Sequence, residues 1–367
     1  MNRLTRITCF LLVLLPLTAL ADARTERQKT RLQTTIMNAN LPLAYRINAL
    51  RELHADEFVN GRIDRSFCVW DPLGRAGPIF ATVSDQTVRS LHYGIALDVR
   101  AYQDEELLLT DLKERRCDAA LLRGNRVYEF NRFAATVEAV GAVPDLTHLK
   151  ILMQVVANSR TAPRLEENGF TVLGIASLGE SYLFAADNKA SDVDAFRDQP
   201  LAVVAHDESL QAIAQQFSSE TNVLIMPELI QGFTGGTIPV MMAPLAVYPV
   251  MAGQLSSPIS IFAYPVAQST VHLVGHSDRF PTGLAQLLRE DFLFMFDAYQ
   301  RRVEQERSAI PATSWKVVNT ESREQFDREW SALRDELLHK GLYDESMLTL
   351  QKRVRCRLAP NAQECQS

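Results

Sequence analysis

Residues 66–78 read SFCVWDPLGRAGP. The first six residues form a short apolar run typical of a buried strand, and the prolines and glycines after it predict a turn. A helix is predicted next, over residues 79–93, and then an alternating strand over residues 95–102. A strand, a helix and a second strand in this order are typical of a parallel α/β sheet.

The same alternation continues through the middle of the chain. Residues 104–116 form a predicted helix with acidic residues at its start and basic residues at its end, which suits the helix dipole. A turn is predicted over residues 177–181, and residues 206–209 are predicted to cap a helix that ends at Phe217. Further strands are predicted over residues 117–122, 170–175, 182–185, 201–205, 223–226, 238–243 and 259–265.

Helical segments flank this α/β region. Three helices are predicted near the C-terminus, over residues 282–308, 321–340 and 342–354. A strand over residues 270–274 is expected to return to the first of two lobes. The predicted division is a leader at 1–21, a helical preamble at 22–61, a first lobe at 62–174, a second lobe at 175–266, and a C-terminal region at 267–367 that rejoins the first lobe.

The first 21 residues have the pattern of a secretory signal peptide. Arg3 and Arg6 precede an apolar run over residues 7–20, and Ala-Leu-Ala at residues 19–21 is a small-x-small cleavage site. The apolar run is short for a membrane span, which needs about 20 apolar residues. We therefore expect export to the periplasm; the alternative is a short N-terminal anchor that leaves the domain on the same side of the membrane.

The composition is that of an ordinary globular protein with an acidic balance. Hydrophobic residues make up 47% of the chain, enough for real cores, and the net charge of −6 falls by two when Arg3 and Arg6 leave with the leader. An acidic chain without a basic tract is a poor nucleic-acid binder. No later segment has 18 uninterrupted apolar residues, so the mature chain is expected to be soluble. No cofactor is expected, because an exported protein meets no free ATP or reduced nicotinamide pool.

Four cysteines follow the leader: Cys68, Cys117, Cys356 and Cys365. An even number of cysteines in an oxidising compartment favours disulfides. Of the three possible pairings, we favour Cys68 with Cys117, which would join neighbouring strands, and Cys356 with Cys365, which would clip the tail. The alternative is that Cys68 and Cys117 are free buried thiols.

Catalytic and metal-binding motifs are missing from the sequence. It contains no CxxC, and the seven histidines form neither HExxH nor HxH, so no metal site is expected. It also contains no GxSxG, no SxxK and no GxxxxGK[ST] phosphate loop. We therefore predict no catalytic residues and no enzyme activity.

Several short segments carry a resemblance to a known family. CVWDPLGRAG at residues 68–77, YQDE at 102–105 and CDAA at 117–120 resemble, in this order, a bacterial family of solute-binding proteins, some of them described as components of RND-type efflux systems. GIASLG at 174–179 and VAHD at 204–207 also fit. That family is similar to the periplasmic substrate-binding subunits of TRAP transporters.

The resemblance covers roughly residues 66–355. It implies a two-lobed α/β fold of the type II periplasmic-binding-protein class with a helical C-terminal region, a small-molecule ligand, and an inner-membrane transporter as a partner. TRAP binding proteins usually hold a ligand carboxylate with an arginine on a strand of the second lobe. The corresponding segment here, LAVVA at residues 201–205, has no arginine, which argues against an organic acid held in the TRAP manner.

Ligands of open α/β sheets bind beyond the carboxyl ends of the strands, and this rule selects the candidate ligand-binding residues. Arginines there could grip a carboxylate or phosphate, glycines let a ligand approach the backbone, and a tyrosine could form an aromatic wall. Residues 206–209 lie at a helix start, where free amides suit an anion, although Asp207 and Glu208 would disfavour one or select an amine. The candidates are Asp71, Arg75, Gly77, Arg123, Arg126, Ser181, His206, Asp207 and Tyr248.

Structural roles compete with ligand binding at most of these positions. Asp71 could simply cap the turn, and Asp207 could simply cap its helix. The three arginines could be solvated loop charges or partners in salt bridges. His206 could be an ordinary surface histidine, and Tyr248 could be a packing residue.

The favoured function is that of a two-lobed binding protein, which closes on a small molecule by a hinge motion and needs neither nucleophile nor metal. One alternative is an efflux-accessory or assembly protein that kept the fold and uses its surface. Another is a secreted hydrolase. A polar cleft would favour binding, and a filled or hydrophobic cleft would favour the accessory role.

Overall fold

The computed structural model describes residues 15–186, 197, 199–255 and 257–366. It contains two compact units. The first is formed by the chain up to Asp64 together with Val88–Ala96, and the second by Arg65–Thr87 together with Leu97–Ser367. The predicted signal peptide falls mainly on residues 1–14, which lie outside the described residues, so it stays a prediction.

The first unit contains the predicted helical preamble. Helix α1 spans Leu15–Met37 and helix α2 spans Leu43–Leu53. The two helices pack together, and buried Arg46 of α2 donates its Nε to the carbonyl of Ile36 at 2.6 Å. Both helices lie in or overlap the segment 22–61, and its limits as a separate preamble stay a prediction.

One mixed sheet of 11 strands runs through the described chain. In chain order the strands are β1 (Ile63–Trp70), β2 (Ile95–Tyr102), β3 (Ala119–Arg123), β4 (Glu166–Glu167), β5 (Phe170–Ala186), β6 (Leu201–Val204), β7 (Thr221–Leu224), β8 (Val240–Pro244), β9 (Ile259–Phe262), β10 (Ala267–His276) and β11 (Trp315–Lys316). The main path has the order β2-β1-β3-β10-β5-β8-β6-β7.

This order contains two groups of parallel strands joined by an antiparallel pair. β1 and β3 are parallel neighbours, and β6 is parallel to both β7 and β8. We call the first group, with β2, the first lobe and the second group the second lobe. β10 pairs antiparallel with β3, a strand of the first lobe. The residue limits predicted for the lobes stay a prediction.

Strand β5 corrects the prediction of two strands with a turn between them. It is continuous, pairing with β10 as far as Ser181 and with β8 from Ser181 onward. Gly179 adopts φ +88°, and the register shifts opposite it, between Gln268 and Thr270 of β10. The polar residues predicted the turn, but backbone pairing on both sides keeps them in the strand.

Further helices follow α2 along the chain. After α2 they are α3 (Pro78–Asp85), α4 (Thr87–Ser90), α5 (Glu105–Lys113), α6 (Arg132–Ala135), α7 (Leu146–Val156), α8 (Glu208–Phe217), α9 (Met226–Thr234), α10 (Tyr248–Ala252), α11 (Thr282–Ser308), α12 (Thr320–His339) and α13 (Glu345–Leu358). The three predicted C-terminal helices are confirmed. Among the described residues, no helix has both the length and the apolar character that a membrane crossing requires.

The single helix predicted over residues 79–93 is wrong. The segment forms α3, α4 and a 3-10 turn at Leu91–Tyr93. Between α3 and α4, the hydroxyl of Thr87 donates to the carbonyl of Ser84 at 2.7 Å. Such a local side-chain bond competes with the helical ladder, which explains the interruption.

Both predicted disulfides are present. Cys68 of β1 bonds Cys117, which lies just before β3, and Cys356 of α13 bonds Cys365 near the end of the chain. Cys68 and Cys117 are fully buried. The first bridge therefore fastens two parallel neighbours of the first lobe from inside its core.

Candidate functional site

The turn after β1 is organised by Asp71. Its buried carboxylate accepts backbone N–H bonds from Leu73 at 2.9 Å, Ile79 at 2.8 Å and Phe80 at 3.0 Å. Gly77 lies against this carboxylate, because a Cβ at Gly77 would stand only 1.8 Å from Asp71 Oδ1. In the structure these two predicted site residues thus shape the turn, and a ligand contact for either stays a prediction.

Arg75 lies in the same turn, within a 3-10 segment at Gly74–Ala76, and is exposed. No hydrogen bond or ion pair to another described residue holds its guanidinium group. Its predicted role as a ligand contact is therefore compatible with its position and remains a prediction.

Arg123, at the end of β3, is bound to a carboxylate of its own lobe. Its Nε lies 2.9 Å from Glu105 Oε2 and 3.2 Å from Oε1, and its Nη2 also donates to Oε2. The guanidinium group lies over the ring of Trp70 at 5.1 Å. Trp70 ends β1, Glu105 begins the helix after β2, and Arg123 ends β3. The three side chains therefore meet at the carboxyl ends of neighbouring strands.

Arg126 forms a second pair beside the first. It donates to Glu106, the next residue of α5, and its Nε lies 3.9 Å from Glu105 Oε2. The Arg126 side chain is only 8% exposed. The two predicted arginines are thus brought together, and each is a partner in a salt bridge, as the structural alternative proposed.

Two contacts join this edge of the first lobe to the second lobe. Asn125 donates its Nδ2 to Asp207 Oδ2 at 3.2 Å, and His206 Nε2 lies 3.5 Å from Glu106 Oε1. Asp207 also accepts the amide of Leu210 at 2.9 Å and so caps α8. The carboxyl ends of the strands of both lobes therefore face each other, which places four predicted residues in one site.

Glu138 lies beside the contact between the lobes and was missed by sequence reasoning. It accepts bonds from the amide and the hydroxyl of Thr270, the latter at 2.7 Å. Removal from water, with the charge of Asp207 adding to it, raises the pKa of Glu138 from 4.5 to about 8. Burial also raises the pKa of Asp207, although the positive charge of Arg123 opposes that rise.

We define the interlobe cluster as the residues that line these contacts. It contains four carboxyl groups, two guanidinium groups, one imidazole and one amide. Its members are Glu105, Glu106, Arg123, Asn125, Arg126, Glu138, His206 and Asp207.

A buried hydroxyl network adjoins the cluster. Tyr343, between α12 and α13, donates its hydroxyl to Ser209 Oγ at 2.9 Å and accepts the amide of Val140 at 3.2 Å. Ser209 belongs to α8, so this bond ties the second lobe to the C-terminal region. Its signal in the sequence was the position of Ser209, two residues after the cap residue Asp207.

Ser181 and Tyr248 both lie at buried positions. Ser181 Oγ is 2.7 Å from Ser269 Oγ, on the strand that links the lobes rather than in a turn. Tyr248 begins α10, directly after the 3-10 turn that follows β8, and burial raises its pKa. Their predicted roles in a ligand wall stay predictions.

Strand β6 has no cation that could hold a ligand carboxylate. Its four residues are aliphatic and buried, as the sequence predicted. Among the residues that the structure describes, no group of three or more His, Cys, Asp or Glu side chains is arranged to hold a metal ion.

The pKa of Glu138 predicts a pH-dependent stability. Because folded Glu138 holds its proton up to about pH 8 while its ordinary pKa is 4.5, its contribution to the free energy of unfolding falls as pH rises through this range. We expect Glu138→Gln, which cannot ionise, to gain stability relative to the parent between pH 5 and pH 8.5. Urea denaturation of both proteins across this pH range measures the difference in their free energies of unfolding. Burial lowers the pKa of His272 to about 3, and its effect on stability is the same in both proteins.

The matched control is Glu129→Gln. Glu129 is exposed and pairs with Lys113 on the surface of the first lobe. The free energy of unfolding of Glu129→Gln, relative to that of the parent, should change little between pH 5 and pH 8.5. If the difference in free energy of unfolding between the parent and Glu138→Gln stayed constant from pH 5 to pH 8.5, the raised pKa of Glu138 would be contradicted.

Comparisons with known proteins agree with this architecture. The family model for "Solute-binding protein AdeT 1/2" matches residues 81–367. A protein named "Probable solute-binding protein AdeT1" from Acinetobacter baumannii is 23% identical over 299 residues, which cover 81% of this chain and 98% of that protein.

Solved structures show the same fold at low sequence identity. A TRAP periplasmic solute binding protein from Desulfovibrio salexigens with bound orotic acid gives a TM-score of 0.65 at 10% identity, covering 80% of this chain and 99% of that one. The periplasmic ectoine-binding protein of the TeaABC TRAP transporter from Halomonas elongata gives 0.61 at 11% identity, covering 81% and 99%. The fold is therefore the two-lobed type II fold, as predicted.

Proposed function

The chain belongs to the solute-binding protein AdeT 1/2 family, and we propose that it captures a small molecule between its two lobes. The observation that carries this proposal is the meeting of polar groups from both lobes at the carboxyl ends of their strands. Asn125 with Asp207, and Glu106 with His206, form that meeting. Ligands of open α/β sheets bind at this edge.

The residues of the cluster divide by role in this proposal. Asn125, His206 and Asp207 contact the solute, because they lie where the lobes touch. Arg123 and Arg126 shape the first-lobe surface through their carboxylate pairs. Arg75 lies on the approach, and Ser181 and Tyr248 belong to the buried wall behind the solute. Asp71 and Gly77 hold the turn that carries Arg75.

Closure of the lobes would exclude water and complete the polar contacts around the solute. This mechanism requires no nucleophile, metal or cofactor, so we propose solute binding rather than catalysis. The polar character of the interlobe cluster supports this role over that of an accessory protein that uses only its surface.

The place of action follows from the leader and the family. The structural neighbours are periplasmic proteins, and one of them belongs to a TRAP transporter. We propose that this chain is exported by its leader, acts in the periplasm, and passes its solute to an inner-membrane transporter.

Native mass spectrometry tests the proposal. The protein, expressed with its leader and purified from the periplasm without unfolding, is expected to carry a small molecule that is lost after unfolding in urea and refolding. Asn125→Ala should carry less of it, because that change removes a contact between the lobes. Asn38→Ala, an exposed change in the first unit, should carry as much as the parent.

A thermal-shift screen supplies the second measurement. Organic acids, amines and sugars are added to the refolded protein, and a binder raises the midpoint of thermal unfolding by mass action. A periplasmic protein with no bound mass, combined with no stabilisation by any member of the screen, would overturn the proposed function.

A further inference from the structure

The arginines of the interlobe cluster are occupied within the first lobe. Arg123 holds Glu105 through three hydrogen bonds and lies over Trp70, and Arg126 is paired with Glu106. A guanidinium group that grips a ligand carboxylate bidentately must present both donors to it. An anionic solute would therefore have to compete with Glu105 and Glu106 for these two groups.

The second lobe adds a carboxyl group, that of Asp207, to this surface. Strand β6 offers only buried aliphatic side chains, and the residues after it are His206 and Asp207. No ion pair within the described chain joins Asp207 or Glu138 to a cation, although the charge of Arg123 acts on both at longer range. Arg123 and Arg126 therefore pair with Glu105 and Glu106, and Asp207 is left without an ion pair among the described residues.

A buried acceptor points in the same direction. The Asn125 amide gives its Nδ2 to Asp207, and its Oδ1 is buried with no hydrogen-bond partner among the described residues. A buried acceptor without a donor is unfavourable, so a solute N–H bond there would be stabilising. Arg126 Nε also lacks a hydrogen-bond partner, but Glu105 Oε2 compensates its charge at 3.9 Å.

From these contacts we infer that the solute of this site is an organic cation that carries N–H donors, such as an amine, amidine or guanidine, rather than a carboxylate. Its N–H groups bind Asn125 Oδ1 and the Asp207 carboxylate, one from each lobe. The cation thereby joins the two lobes and supplies Asp207 with a partner of opposite charge. This inference rests on the proposed function, because it names the chemical class that the same site accepts.

Isothermal titration calorimetry with four probes tests the inference. Agmatine and spermidine represent N–H cations, gluconate represents a carboxylate, and galactose represents an uncharged polar molecule. We expect saturable binding of at least one cation, weakened by added salt because the interaction is between charges. Asp207→Asn should weaken that binding about tenfold or more, since it removes the charge but keeps an oxygen that can cap α8.

The control variant is Asp278→Asn. Asp278 is exposed, pairs with Arg115, and follows β10 at the opposite edge of the first lobe. It should leave binding of the cation unchanged, which separates a local effect from a general loss of negative charge.

The outcomes separate this inference from the proposed function. Binding of gluconate or galactose without either cation would overturn the cationic class while supporting solute capture. Equal weakening by Asp207→Asn and Asp278→Asn would overturn the placement of the cation at Asp207. No binding by any probe, together with no bound mass in periplasmic protein, would overturn both.

Discussion

Replacement of Gly77 by alanine is expected to lower the free energy of unfolding by about 3–5 kcal/mol. Gly77 has φ −85° and ψ 157°, a conformation open to any residue, so backbone strain does not contribute. The cost comes from the new Cβ, which would stand 1.8 Å from Asp71 Oδ1 and displace the carboxylate. Three backbone N–H groups would then lose their acceptor in a buried turn.

Urea denaturation measures this effect, with Gly253→Ala as the matched control. Gly253 also has a negative φ, and no atom lies within 4 Å of its added Cβ, so alanine there should change little. A double-mutant cycle with Asp71→Ala isolates the clash. If Gly77→Ala costs the same with Asp71 present and absent, the carboxylate is not the cause.

Loss of the Cys68–Cys117 disulfide is expected to destabilise the protein by about 4 kcal/mol in the chain-entropy model. This bridge closes a loop with a sequence separation of 49, whereas Cys356–Cys365 closes one of 9. The same model gives about 2.5 kcal/mol for the shorter loop. The buried position of Cys68 and Cys117 adds lost packing in the same direction.

The measurement compares two double variants by urea and thermal denaturation. Cys68→Ala with Cys117→Ala should unfold at clearly lower urea than the parent, and Cys356→Ala with Cys365→Ala should lie between them. The tail pair controls for the general effect of losing a disulfide. The reverse order would show that the β1–β3 bridge contributes less than its loop length predicts.

Much of the fold could be predicted because the elements have strong local signals. The alternation of residues 95–102 matches β2, and the amphipathic pattern of residues 282–308 matches α11. The turn inside β5 was mispredicted because Gly179, Glu180 and Ser181 have turn composition. Only the pairing of β5 with β10 and β8, contacts distant in sequence, keeps them extended.

The sequence predicted which loops form the candidate site but not which of their charged side chains pair with each other. The rule of carboxyl ends selected Arg123, Arg126, His206 and Asp207. It did not reveal that Glu105 and Glu106 pair with the arginines, although two acidic residues in the first turn of the helix after β2 were an available signal. Glu138 had no signal at all, because Thr270 approaches it from 132 residues further along the chain.

The continuity of β5 has a consequence for how closure could be observed from outside. Because this strand bonds to both lobes and changes partner near Ser181, any rotation of one lobe against the other must twist the backbone there. Helix α11 lies on that point, since Arg307 donates to the hydroxyl of Tyr182 at 3.1 Å and Val303 lies against Gly179. The fluorescence of a dye attached to the exposed side of α11 should therefore change when the lobes close on a solute, although the dye does not contact the solute.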